Sequence, residues 1–278
     1  MTGPVDAVVI GAGHNGLVAA CYLARAGRRV LVLERRDVVG GAAVTEEIAP
    51  GFRLSTASYS LSLLRPDVHR DLDLARHGLV IMPKDPQMFV PLPDGRHFFV
   101  WRDGERTRAE LARIHGPDAE GHKHWGAFWD AAVSMLRPMV ESAEPPALRE
   151  VERALGPEMY RMAVSGAAAD TVRAFFDAPE VQGTFVGQGI IGVAAGPEEP
   201  GTAWVMTFHA IGGELCGMDG TWAYVRGGMG GVTRALAAAA EEAGVTVQTG
   251  AEVERILVED GRARGVVLRG GRTVEAPL

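Results

Sequence analysis

The stretch VVIGAGHNGLVAACYLARAGRRVLVLE, from Val8 to Glu34, admits few backbone paths. Val5 to Ile10 is a short, valine-rich apolar run of the kind that forms a buried parallel strand. Gly11-Ala12-Gly13-His14-Asn15-Gly16 follows without a gap. Leu17, Ala20, Leu23 and Ala24 then recur at helical spacing as far as Gly27, a natural helix C-cap. Val30 to Leu33 supplies a second strand, which Glu34 closes. Strand, glycine turn, helix and acid-ended strand together make a complete β-α-β unit, the context in which G-x-G-x-x-G carries meaning.

The chemistry of a dinucleotide accounts for the spacing. Gly11 permits the tight turn, Gly13 lets a pyrophosphate approach the backbone, and Gly16 lets the helix pack close to the strands. The helix start, with His14 and Asn15, offers free N–H groups and a partial positive charge to phosphate oxygens. Glu34 lies 18 positions after Gly16 and is placed to accept from ribose hydroxyls. A carboxylate there repels a 2′-phosphate, which disfavours NADP. The fingerprint alone does not separate NAD from FAD. Gly40-Gly41 comes six residues after Glu34 and is followed by Ala42. Adjacent glycines there let the chain pass close beside an extended ligand. The ribityl and flavin of FAD continue past the pyrophosphate, so the glycine pair points to FAD. Arg35 is placed to border the adenine side.

Composition narrows the function classes. The chain has 278 residues, of which 47% are hydrophobic and 23% charged, as in soluble globular proteins. A net charge of −7 argues against a nucleic-acid binder, whose affinity for phosphates comes from Lys and Arg. Cys21 and Cys216 form no C-x-x-C, so neither dithiol redox chemistry nor a cysteine zinc site is expected. No secretory signal and no apolar run of about 20 residues is visible, so a cytoplasmic location without a transmembrane segment is expected. Peripheral membrane contact stays open.

Further along, Leu79 to Met82 reads as a strand, and Met88–Leu92 with His97–Trp101 as a hairpin about Pro93-Asp94-Gly95. Arg106 to Phe176 is mainly helical, broken at Gly116-Pro117, Pro145-Pro146 and Gly156-Pro157. Gly183 to Gly201 reads as helix ends and a loop. The aromatics Trp125, Phe128, Trp129, Phe175, Phe176, Trp204, Phe208, Trp222 and Tyr224 suit core packing better than a substrate tunnel. His122 and His124 stand two apart on a helix and do not share a face, so no metal site is expected. His209 is read as a structural histidine, with facing the flavin as the alternative. Gly227-Gly228-Met229-Gly230-Gly231 lacks the third fingerprint glycine and is expected to start a helix over Val232–Ala243. Val245–Thr249, Ala251–Val258, Gly265–Leu268 and Thr273–Ala276 complete a strand and a β-meander.

The N-terminal run through GGAAVTEEIAPGFRLSTASYSLSLLRPDV, with the later GGELCGMDGTWAYVRGGMGGVTRALA, resembles the phytoene desaturase-like FAD-dependent oxidoreductases. Within them it is most similar to the branch called pyridine nucleotide-disulfide oxidoreductase domain-containing protein 2. The redox dithiol of disulfide reductases has no counterpart here. The resemblance implies an α/β fold, with a Rossmann-type, glutathione-reductase-like FAD-binding domain and an inserted α+β substrate domain. Residues 1–78 and 221–278 would bind the cofactor, and 79–220 would form the substrate cap. It implies that Val253, in AEVERI, meets the adenine edge through its backbone. It also implies a further glycine-rich FAD contact beyond Leu278, so that a chain ending there would be truncated. The expected activity passes hydride from an apolar or amphipathic substrate to flavin, with the final electron acceptor and the catalytic residues unassigned. An NAD-dependent dehydrogenase and a non-catalytic flavin- or lipid-binding protein are the alternatives.

Overall fold

The computed structural model describes residues 5–278. The chain forms two compact units, one made of the segment ending at Met82 together with Tyr224–Leu278, the other of Pro83–Ala223. The first unit begins with β1 (Ala7–Ile10), α1 (His14–Arg25) and β2 (Val30–Leu33). The two strands run parallel, with Ala7 opposite Val30 and Ile10 opposite Leu33. Helix α1 stops before Gly27, whose φ of +79° suits a residue without a Cβ. The N–H groups of Gly27 and Arg28 donate back to the carbonyls of Ala24 and Leu23 at 2.9 and 3.0 Å, closing the helix end.

After the glycine pair comes a hairpin that periodicity alone did not reveal, β3 (Thr45–Ala49) and β4 (Phe52–Ser55), with Thr45 opposite Ser55. Its turn is made by Pro50-Gly51, Gly51 having a φ of +82°. Helix α2 (Pro66–Asp71) and strand β5 (Ile81–Pro83) follow.

The second unit opens with the antiparallel hairpin β6 (Met88–Pro91) and β7 (His97–Val100). It continues as α3 (Gly104–Ile114), α4 (Gly116–Glu141), α5 (Leu148–Leu155), α6 (Pro157–Tyr160), α7 (Ala168–Arg173), α8 (Pro179–Val186) and α9 (Thr202–Ile211). The helices break at Gly116-Pro117, Pro145-Pro146 and Gly156-Pro157, while α4 runs on through Pro138. Pro117 and Pro157 fall in first turns, where a missing N–H removes no intrahelical bond. Asp103 caps α3 by accepting from the N–H groups of Glu105 and Arg106 at 2.8 and 3.3 Å. Helix α8 runs through Gly183, where a helix end was expected, and the break comes only at Gly187. A Cβ on Gly183 would meet nothing within 4 Å, so this glycine serves neither a turn nor a close approach.

The core of this unit is built from Phe98, Leu111, Trp129, Leu136, Val172 and Phe176. Trp125 meets Trp129, Phe175, Phe176 and Phe185 at centroid distances of 5.4 to 5.6 Å, and Phe176 stacks on Phe185 at 4.7 Å. These rings bury one another in the way that maximises apolar burial while respecting their quadrupoles.

The chain returns through β8 (Ala223–Val225) to α10 (Gly230–Glu242), β9 (Thr246–Gln248) and an antiparallel meander, β10 (Val253–Glu259), β11 (Arg262–Leu268) and β12 (Thr273–Glu275). Strand β9 pairs parallel with β2, so β2 is central in the order β1-β2-β9. The alternation of β2 then explains its unbroken apolar character. Val30 and Val32 join a core with Leu17 and Cys21 of α1 and Leu236 of α10. Leu31 and Leu33 join Ala251, Val266 and Leu268 against the meander. Both faces are covered, as parallel strands require. The carbonyl of Leu278 accepts from the N–H of Val8 at 2.9 Å, which brings the end of the meander back to β1. Among the described residues, no helix is long and apolar enough to cross a membrane.

Candidate functional site

The loop between β1 and α1 separates three glycines by the reason each is needed. Gly11 has a φ of +97°, a conformation costly for any residue with a Cβ, though a Cβ there would meet nothing within 4 Å. Gly16 has an ordinary helical backbone, but a Cβ would lie 2.2 Å from the Gly11 carbonyl oxygen and 3.3 Å from Val9 Cγ1. Its glycine is required by helix-to-loop packing. Gly13 has neither reason. Its φ of −75° and ψ of 172° suit any residue, and the nearest atom to a Cβ is the Gly41 Cα at 3.9 Å. Among the described residues, neither the backbone nor a neighbouring atom asks for glycine at this position. Gly13 is also the N-cap of α1, and no side chain caps that helix among the described residues. The first-turn N–H groups lie around His14 and Asn15, both exposed, and a helix has no partners of its own for them.

Glu34 is buried at 7% exposure. One carboxylate oxygen accepts from the N–H of Ala12 at 2.8 Å and the other from the N–H of Arg36 at 2.9 Å. The side chain thus ties the end of β2 to the middle of the glycine loop, which sequence spacing did not indicate. Each oxygen keeps a further lone pair. Backbone bonds from Glu34 N–H to Gln248 and from Ala251 N–H to the Glu34 carbonyl, at 2.9 and 2.8 Å, anchor the same residue to the strand end beyond it. Arg35 is exposed beside it, and Arg36 pairs with Glu46.

The glycine pair lies against this loop. Gly40 donates its N–H to the Ala12 carbonyl at 2.9 Å and forms an isolated parallel bridge with Gly13. At φ +139°, a Cβ on Gly40 would stand 3.0 Å from Val44, and one on Gly41, at φ +54°, would stand 3.2 Å from the Gly13 Cα. The close approach that the pair makes in the structure is to the protein's own backbone, where it lets one strand of chain lie on another. Ala42 is exposed on the same turn, and its carbonyl accepts from the N–H of Ser58 at 3.1 Å. Gly11, Gly13, His14, Asn15, Gly16, Glu34, Gly40, Gly41 and Ala42 are thus brought together. Val253 begins β10, two residues after Ala251, and packs with the meander core.

Other candidates have structural employment. His209 Nδ1 lies 2.8 Å from the Gln188 carbonyl, its ring packs 5.2 Å from Trp222, and burial lowers its pKa. His122 is half-buried beside Phe185, while His124 is exposed beside Glu120. His115, Asp118 and Asp177 cluster closely, but the Asp118 carboxylate accepts from the N–H groups of Asp177 and Ala178 at 2.8 and 3.1 Å, just ahead of α8. Among the described residues neither cysteine forms a disulfide; both are buried, and burial pushes the Cys21 thiol up to about 11. The segment Gly227–Gly231 starts α10 as expected. What spacing missed is the partner of that start, the hydroxyls of Thr45 and Ser55. The Pro50-Gly51 turn between Glu46–Ala49 and Phe52–Ser55 was the signal available for it.

The family described as flavin containing amine oxidoreductase matches residues 16–277. The rat protein called pyridine nucleotide-disulfide oxidoreductase domain-containing protein 2 is 36% identical over 98% of this chain and 52% of its own length. A neurosporene-forming phytoene desaturase from Cereibacter sphaeroides is 27% identical over 98% of this chain and 51% of its own. The crystal structure of an oxidoreductase from Methanosarcina mazei superposes with a TM-score of 0.60 at 22% identity, covering 98% of this chain and 57% of that one. The chain spans about half the length of the curated relatives it matches. It belongs to the family of flavin-containing amine oxidoreductases, in which phytoene desaturases are more distant relatives and FAD is the cofactor.

Proposed function

We propose that this chain carries FAD-binding and substrate-domain elements of an oxidoreductase of the desaturase or dehydrogenase type. The observation that carries this is Gly13, a glycine that neither its backbone angles nor its neighbours require, placed at the uncapped start of α1. The residues fit the cofactor. Gly11, Gly13 and Gly16, with the N–H groups at His14 and Asn15, would hold the pyrophosphate. Glu34 would accept from the ribose hydroxyls, Arg35 would border the adenine, and the Val253 backbone would meet its edge. Gly40, Gly41 and Ala42 would pass the ribityl chain. When bound, the flavin supplies the hydride acceptor, and the chain supplies position and electrostatics.

The substrate we infer is apolar or amphipathic, a reading supported by the phytoene desaturase among the relatives. The compact unit Pro83–Ala223, interposed between parts of the nucleotide-binding segment, supports a substrate cap. The order of helices, parallel sheet and meander supports the glutathione-reductase-like variant of the fold. The test is a visible absorption spectrum of the purified chain before and after FAD, followed by desalting. Flavin bands that survive desalting support the assignment. A chain that stays colourless, and does so again when extended to the length of its relatives, refutes it.

A further inference from the structure

Thr45 and Ser55 face each other at the open end of the β3–β4 hairpin, with their hydroxyl oxygens 3.0 Å apart. The N–H of Gly230 donates to Thr45 Oγ1 at 2.9 Å, and the N–H of Met229 donates to Ser55 Oγ at 3.0 Å. These are N–H groups at the start of α10, which an α-helix cannot satisfy from within. The N-cap position itself is Met229, which has no side-chain oxygen to offer. A hairpin about 180 residues earlier in the chain therefore caps the helix. The glycines of the GGMGG segment make the fit possible. A Cβ on Gly228 would lie 2.4 Å from Thr45 Oγ1, and one on Gly230 would lie 2.9 Å from the Thr45 nitrogen.

The same threonine sits one residue after Val44, which is buried and blocks the space above Gly40. Gly40 is in turn bridged to Gly13. A contiguous chain of contacts thus runs from the start of α10 through Thr45 and Val44 to Gly40 and the phosphate loop. We propose that Thr45, with Ser55, is a positioning residue for the cofactor: the hydroxyl pair pins α10 to the hairpin and so fixes the Gly40–Ala43 turn against the loop at Gly13. This rests on the FAD assignment above.

Thr45→Val keeps the side-chain shape and removes only the hydroxyl, and Thr45→Ser keeps the hydroxyl. FAD affinity is read by flavin fluorescence titration and the bound state by visible circular dichroism, at a temperature where each variant is folded. Thr45→Val is expected to weaken FAD binding about tenfold or more and to alter the flavin dichroism, because a small displacement of a binding turn has large effects. Thr45→Ser restores both. Leu236→Ala loosens α10 in the core without touching the hydroxyls, and it lowers thermal stability while leaving FAD affinity near the parent value. Unchanged affinity in Thr45→Val, or equal losses in Leu236→Ala, overturns the proposal. Gly13→Val separates the two layers. If it abolishes FAD binding while Thr45→Val does not, only the positioning role fails. If Gly13→Val binds FAD normally, the cofactor assignment fails with it.

Discussion

Gly13→Ala and Gly16→Ala make the same chemical change three residues apart, and the structure expects opposite consequences. At Gly13 the new Cβ has its nearest neighbour at 3.9 Å, an ordinary contact, and the backbone already sits at φ −75°. Exchanging Gly for Ala at an N-cap costs on the order of 0.5–1 kcal/mol. The reduced entropy of the unfolded chain returns about 0.4–1 kcal/mol. The net is within about 0.5 kcal/mol, a shift of no more than about 2 °C in the melting temperature of the apoprotein. FAD, by contrast, loses its closest backbone approach, and an affinity loss of at least tenfold, about 1.4 kcal/mol, is expected. At Gly16 the Cβ would stand 2.2 Å from the Gly11 carbonyl oxygen, so the loop must move. Overpacking of that kind costs about 1–3 kcal/mol, read as a fall of several degrees in apoprotein melting. The assay is thermal unfolding of flavin-stripped protein beside an FAD titration of each variant. Apoprotein melting that falls as far in Gly13→Ala as in Gly16→Ala would refute the claim that ligand, not packing, demands Gly13. Undiminished FAD affinity in Gly13→Ala would do the same.

Three further outcomes follow from the geometry. Glu34→Ala should weaken FAD several-fold and also destabilise the apoprotein by about 1–3 kcal/mol, because the buried N–H of Ala12 loses its acceptor; chemical denaturation and FAD titration measure both, and loss of neither contradicts the assignment. The half-buried His122 has a buried Nδ1 with no hydrogen-bond partner among the described residues, and desolvation lowers its pKa from 6.5 to about 4. The unfolded chain takes up that proton below about pH 6.5 and the folded one does not, so its contribution is complete above pH 6.5 and is lost as pH falls towards 4, in total about 3 kcal/mol at most. His122→Phe should flatten the stability of the protein over that window, and an unchanged slope would count against it. Asp118→Ala removes the acceptor of two N–H groups ahead of α8 and should cost about 1–3 kcal/mol, measured by urea unfolding; a smaller loss would mean that water replaces the carboxylate.

Local patterns determined a good part of this protein. The β-α-β unit, the helix end at Gly27, the hairpin about Pro93-Asp94-Gly95 and the meander were all legible, because each depends on periodicity and turn chemistry within a few residues. The FAD family was legible for the same reason, since a phosphate loop must be a strand, a glycine turn and a helix start in immediate succession. Tertiary structure alone decided which glycine does what. Gly16 and Gly40 owe their lack of a Cβ to atoms of Gly11 and Val44, and Gly13 owes its own to no atom of the protein. It also decided that Glu34 is held by Ala12, and that α10 takes its caps from Thr45 and Ser55. Hydrogen bonds between residues 22 and up to 185 positions apart leave no periodic trace in a sequence. They arise only when packing brings the donors to acceptors that the unfolded chain keeps apart.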